Sequence, residues 1–80
     1  MVKLTKLNTG TNQLLCEIRE KIAVVTLNRP EKRNALGDKI TPALRSILSI
    51  LEDDQAVKVI IITGSGRAFC AGGDITDMSS

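Results

Sequence analysis

Four glycines punctuate Thr63-Gly-Ser-Gly-Arg-Ala-Phe-Cys-Ala-Gly-Gly-Asp74, directly after the apolar run at residues 57–62. A strand that empties into such a loop leaves bare backbone N–H groups at a sheet edge, where an anion or a developing oxyanion can be held. Two phosphate-binding patterns are excluded by inspection. A dinucleotide fingerprint begun at Gly64 needs glycine where Phe69 stands, and no Gly-Lys-Ser/Thr triplet exists for a phosphate loop. Cys70 has no histidine in the chain to activate it as a nucleophile. Glu17 and Glu20 fall on a half-exposed strand and its turn, Asp53 and Asp54 at a helix end, and Asp77 nearest the glycine loop. None of these forms an acid–base pair by spacing. A second chemical stretch is Asn28-Arg-Pro-Glu-Lys-Arg-Asn34, where Lys32 and Arg33 sit on a proline-stiffened turn and can meet phosphates. A merely solvated charged loop is the alternative for these cations.

The elements that position these loops follow from periodicity. Residues 1–13 read as a polar lead-in or a weak edge strand. Leu14, Cys16 and Ile18 alternate with Leu15, Glu17 and Arg19, the period of a half-exposed strand. Glu20-Lys21 offers a tight reversal into a more buried strand at residues 22–27, so this opening pair is expected to be antiparallel. Pro30 breaks that strand by forcing Arg29 toward extended backbone. Ile40, Leu44, Ile47, Leu48 and Leu51 then lie on one helical stripe, with Pro42 near the first turn where a missing N–H is tolerated. Glu52, Asp53 and Asp54 close the helix with the wrong sign for its dipole, which predicts fraying or a capped stop. Residues 57–62 are apolar on both faces and predict a buried strand. A helix joining two strands at this length makes them parallel within one sheet. The fold class is therefore α/β, a mixed sheet with one crossover helix.

Composition narrows the function classes. The chain has 80 residues, 42% of them hydrophobic but only one aromatic, Phe69. That allows one small domain or part of a larger one, with a core of small aliphatic groups. Eleven basic residues against nine acidic ones give a net charge of +2, too balanced for nucleic-acid binding, and there are no aromatics on which to stack bases. Cys16 and Cys70 form no framework, and without histidine a zinc site is not expected; reduced thiols in a cytoplasmic protein are. No apolar run reaches membrane-spanning length.

Thr26-Leu-Asn-Arg-Pro-Glu-Lys-Arg-Asn-Ala-Leu36, an amphipathic helix, Val59-Ile-Ile-Ile-Thr-Gly64 and Gly66-Arg-Ala-Phe-Cys-Ala-Gly-Gly-Asp-Ile75 occur in this order. Together they resemble the enoyl-CoA hydratase/isomerase (crotonase) family over residues 14 to about 78. The resemblance implies that residues 14–80 are the N-terminal, incomplete part of a crotonase-like domain, the start of its ββα spiral. It implies acyl-CoA thioesters as substrates, hydration of a 2-enoyl-CoA as the commonest reaction, and a place in fatty acid or related acyl-CoA metabolism. Coenzyme A enters as part of the substrate, with no separate cofactor and no metal. Lys32, Arg33 and Ala35 match positions packed against coenzyme A. Gly73 matches the residue whose backbone N–H is one of two oxyanion-hole donors, a group worth ~10²–10³ in rate. Ala71, Gly72, Asp74 and Ile75 match the lining of the CoA pocket and the start of a short helix, which Asp74 could alternatively cap. Phe69 and Cys70 are expected to pack behind the loop.

What does not match is equally informative. The family's second oxyanion donor and its catalytic carboxylates lie downstream of residue 80, so the choice among the family's reactions is not encoded here. Full-length members imply a homo-oligomer, a trimer or hexamer. A non-catalytic acyl-CoA-binding or assembly module is the alternative function for the 80 residues.

Overall fold

A computed structural model describes residues 4–70 and Gly72. Four strands, β1 (Leu4–Leu7), β2 (Leu14–Arg19), β3 (Ile22–Leu27) and β4 (Val59–Gly64), form one sheet in the order of the chain. The hairpin β2–β3 is antiparallel, as expected, with Arg19 opposite Ile22 across the two-residue turn. Glu20 accepts the positive φ of 57° that this turn imposes, at about 1–2 kcal/mol for a residue with a Cβ. β1 is a short antiparallel edge strand beside β2, within the lead-in of residues 1–13.

β3 and β4 are parallel and joined by the helix α1 (Ile40–Asp53), the expected crossover. The stripe read from the sequence is the face that packs. Ile40, Ile47 and Leu51 are buried against Leu14 and Cys16 of β2 and Ala23, Val25 and Leu27 of β3, with Leu44 and Leu48 at the margin. Alternation places these strand residues on one face, since Leu14 pairs with Leu27 and Cys16 with Val25. The acidic C-terminus is a capped stop. The Asp54 N–H donates to Leu51 O at 3.2 Å, and its carboxylate accepts from the Ala56 N–H at 2.9 Å.

One expectation is corrected here. The apolar strand, placed at residues 59–64 rather than 57–62, is not buried. Ile60 and Ile62 share the helix-facing side with Ala23 and Val25, yet remain 38% and 39% exposed. Val59 and Ile61 on the opposite face are 49% and 46% exposed. Apolarity on both faces indicates burial only where both faces are covered. Among the described residues β4 is an edge strand, and the helix lies chiefly over β2.

Substitutions should separate the two environments. Leu27→Ala and Ile47→Ala are expected to cost about 2–5 kcal/mol in urea unfolding. Ile61→Thr, which keeps a β-branched side chain, is expected to cost under about 0.5 kcal/mol. A loss at Ile61 as large as that at Leu27 would mean that β4 is covered in solution.

Candidate functional site

Because β3 and β4 are parallel, the loops that follow Leu27 and Gly64 leave the same end of the sheet side by side, a common place for a site in α/β sheets. The first loop opens with Pro30 at the start of a single 3₁₀ turn, Pro30–Lys32. Proline suits that position because it needs no hydrogen on its nitrogen. The turn closes through Lys32 N–H to Arg29 O at 3.0 Å and Arg33 N–H to Pro30 O at 3.1 Å. Arg33 and Asn34 then both adopt left-handed backbone, with φ of 52° and 59°. The outcome is that Lys32 and Arg33 face water while the next two residues turn inward.

Asn34 is the wholly buried polar side chain of the described residues. Its Oδ1 accepts from the Arg29 N–H at 2.7 Å, and its Nδ2 donates to Ser65 O at 2.8 Å and Ala68 O at 2.7 Å. One donor group and one acceptor of the carboxamide are thus spent, the first holding the glycine loop and the second the loop's own turn. Further bonds join the same two stretches. Ser65 Oγ donates to Asn28 Oδ1 at 3.0 Å, and the Leu36 N–H donates to Gly72 O at 2.7 Å. The Arg29 guanidinium donates to Ala35 O at 3.1 Å, on the buried side of the loop.

The glycines are explained by this close approach. A Cβ on Gly64 would lie 2.6 Å from both Ala68 O and Asn34 Nδ2, and closer still to Phe69 O. Gly66 has φ +78°, and a Cβ there would meet Pro30 Cβ at 3.0 Å, so the two loops touch at that point as well. Gly72 is at φ +98°, a conformation that glycine adopts without cost.

Lys32 and Arg33, expected on an exposed turn, are exposed, and Arg67 adds an exposed cation on the adjoining loop. Ala35 is buried, and Gly72 is in place beside Leu36. Ala71, Gly73, Asp74, Ile75 and Asp77 lie outside the described residues. Phe69 corrects the expectation of packing behind the loop: it is 58% exposed, because the clamp turns the Ala68 and Phe69 carbonyls, not the ring, toward Gly64. Cys70 is partly buried against the core, and its Sγ accepts from the Gly72 N–H at 3.4 Å. The carboxylates are not brought together. Glu17 faces Arg19 at 3.8 Å on β2, Glu20 is in the hairpin turn, and Asp53 and Asp54 are at the far end of the helix. Two concavities, of about 430 and 550 Å³, lie around Thr9 and Thr11, beside β2 and the helix start respectively, away from both loops. Among the described residues no helix is long and apolar enough to cross a membrane.

Asn34 is the residue of the seam that sequence reasoning passed over. A carboxamide tolerates left-handed backbone and can donate and accept at once, which was the available signal. Its burial depends on the second loop, 31 residues away, and no local pattern carries that.

Comparison with known proteins follows this geometry. The family profile described as enoyl-CoA hydratase/isomerase matches residues 17–80, which include both loops. A 3-hydroxyisobutyryl-CoA hydrolase of Arabidopsis thaliana is 42% identical over 64 residues, 80% of this chain and 17% of that protein. A probable enoyl-CoA hydratase of Mycobacterium bovis is 41% identical over 66 residues, 82% of this chain and 26% of that protein. The crystal structure of an enoyl-CoA hydratase from Mycobacterium tuberculosis superposes with a TM-score of 0.82 at 35% identity, covering 86% of this chain and 31% of that one. The chain therefore spans less than a third of the length of these three proteins.

Gly64→Ala is expected to lower stability by about 1–3 kcal/mol, since the added methyl meets backbone oxygens that cannot move independently. Thermal or urea unfolding reads this directly, and a neutral substitution would contradict the close approach. A second expectation concerns pH. Burial, with Glu17 adding to it, pushes the Cys16 thiol above its ordinary value. A raised folded-state pKa favours the neutral thiol, so its contribution is intact below the unfolded-state pKa and falls as pH climbs through the alkaline thiol range. Stability measured against pH should show this decline, and Cys16→Ala should remove that part of the slope whatever its fixed packing cost.

Proposed function

Because this chain belongs to the enoyl-CoA hydratase/isomerase family, we propose that it supplies the thioester-binding loops of an acyl-CoA enzyme. Similar proteins are named as hydratases, a hydrolase, an isomerase and a hydratase-lyase, and each of the non-hydratase names contains a CoA thioester. What such reactions share is a thioester carbonyl whose oxygen gains charge. A backbone N–H aimed at that oxygen stabilises the enolate or tetrahedral species, and Gly73 carries the N–H in this reading. Its lack of a side chain suits a role that uses the backbone alone.

The remaining residues bind. Lys32 and Arg33 offer cations to the CoA phosphates, Ala35 and Gly72 leave room for the pantetheine arm, and Ala71, Asp74 and Ile75 continue the lining. Coenzyme A is part of the substrate, and no other cofactor is called for. Hydration of a 2-enoyl-CoA in fatty acid or related metabolism is the leading reaction, carried out in a cytoplasmic trimer or hexamer. Among the described residues no two carboxylates are brought together to serve as its acid and base. The observation that carries the reading is the joining of the two loops through Asn34, Ser65 and Leu36, which makes one surface of the two stretches. A second reading, a non-catalytic acyl-CoA-binding or assembly module, is favoured by the exposed aliphatic edge of β4, a strand open to pairing.

The test is a titration of the ¹⁵N-labelled 80-residue chain with crotonyl-CoA, followed by NMR. Shifts concentrated in residues 29–36 and 64–72, weakened at least about fivefold by Lys32→Glu with Arg33→Glu at low salt, are expected. Absence of binding would overturn the thioester reading. The chain alone is expected to hydrate no crotonyl-CoA; turnover above that of a Gly73→Pro control would show that its hole is complete without further sequence.

A further inference from the structure

Asn34 has no role in the reading above beyond joining the loops, yet its geometry asks for one. The side chain is fully buried at the seam of two loops, and each of its bonds has a defined target. In a trans peptide the carbonyl and the following N–H point in opposite directions within one rigid plane. Drawing Ser65 O and Ala68 O inward to Asn34 Nδ2 therefore directs the N–H groups of Gly66 and Phe69 outward from the seam. Gly64 leaves space for the carboxamide to reach both carbonyls, and the Leu36–Gly72 bond ties the far end of the same loop.

We propose that Asn34 is a positioning residue for thioester binding: its carboxamide fixes the peptide planes that follow Ser65 and Ala68, and so the course of the loop from which the donor assigned to Gly73 is presented. This rests on the thioester reading of the site. No other common side chain of this size does the same work. Aspartate offers no donor when ionised and sets a negative charge against two carbonyl oxygens. Alanine leaves the Arg29 N–H and both carbonyls without their partner. The effect on the loop is separable from the core, since Asn34 is not among the aliphatic residues packed between helix and sheet.

The experiment compares Asn34→Asp and Asn34→Ala with the unaltered chain, each as the ¹⁵N-labelled 80-residue protein, from pH 5 to pH 8. Crotonyl-CoA affinity and amide shifts are read together, and affinities are taken as ratios to the unaltered chain at the same pH. Glu31, Lys32, Arg33 and Arg67 are exposed on the two loops and the Arg29 guanidinium donates to Ala35 O, and all of these groups are common to the three proteins. At pH 8 both variants are expected to bind at least tenfold more weakly, with altered shifts confined to residues 28–36 and 64–72. Full burial beside two carbonyl oxygens raises the pKa of the carboxyl introduced by Asn34→Asp, so toward pH 5 it takes up a proton, regains an O–H donor, and recovers a measurable part of its affinity. Asn34→Ala recovers nothing. Unchanged affinity, equal losses with no recovery at low pH, or shifts spread through β1–β3 would overturn the proposal. So would a chain unfolded at both pH values, because Asn34 would then serve the core and not the loop. If the unaltered chain itself fails to bind crotonyl-CoA, the thioester reading fails, while loop-confined shifts that reverse with pH still establish the clamp.

Discussion

The seam between two loops depends on one carboxamide. Burying an amide without partners costs about 2–7 kcal/mol, whereas each satisfied bond returns only about 0.5–1.5 kcal/mol net. Asn34 is therefore stable in place only while both loops are present in the right conformation. This makes the loops conditional on each other. The 3₁₀ turn at Pro30–Lys32 presents an N–H to Oδ1, and the glycine loop presents two carbonyls to Nδ2. Removing either set leaves a buried polar group unpaired. The left-handed backbone at Arg33 and Asn34 is the local cost of turning the side chain inward, and asparagine adopts it more readily than most residues.

The sheet brings those loops within reach. Parallel pairing runs from Ile22 with Val59 to Leu27 with Gly64, so both strands end level at the same edge of the fold. Ser65 continues the ladder by one bond, its N–H donating to Leu27 O at 2.9 Å, before the glycine loop departs. The helix makes the parallel pairing possible and covers one face of β2 and β3, which fixes the platform under the site. Stability therefore resides in the aliphatic layer, while the exposed cations Lys32, Arg33 and Arg67 stand on the loops that leave the carboxyl ends of β3 and β4.

Much of this platform was legible in the sequence. Period two at Leu14–Arg19 and the helical stripe from Ile40 to Leu51 both reflect burial on one face, which is a local property of the chain. The crossover followed from helix length, whereas the misplaced charge at residues 52–54 left fraying and a capped stop both open, and the structure shows the cap. What was not legible depended on distant chain. Apolarity on both faces suggested burial at residues 57–62, but whether an apolar strand is covered is decided by other segments, and among the described residues it is an exposed edge. Phe69 was expected to pack behind the loop, and the geometry turns its backbone inward and its ring outward. Asn34 was visible as part of a motif, but its bonds to Ser65 and Ala68 join positions more than thirty residues apart.

The central claim is that the Asn34 carboxamide physically holds the glycine loop. The most direct measurement is NMR of its own side-chain NH₂ group in the unaltered chain. The account predicts two separate proton signals, slowed in exchange with solvent, with nuclear Overhauser contacts to Ser65 and Ala68. A carboxamide that exchanges as fast as that of an exposed asparagine, with no contact to residues 65–68, would contradict it.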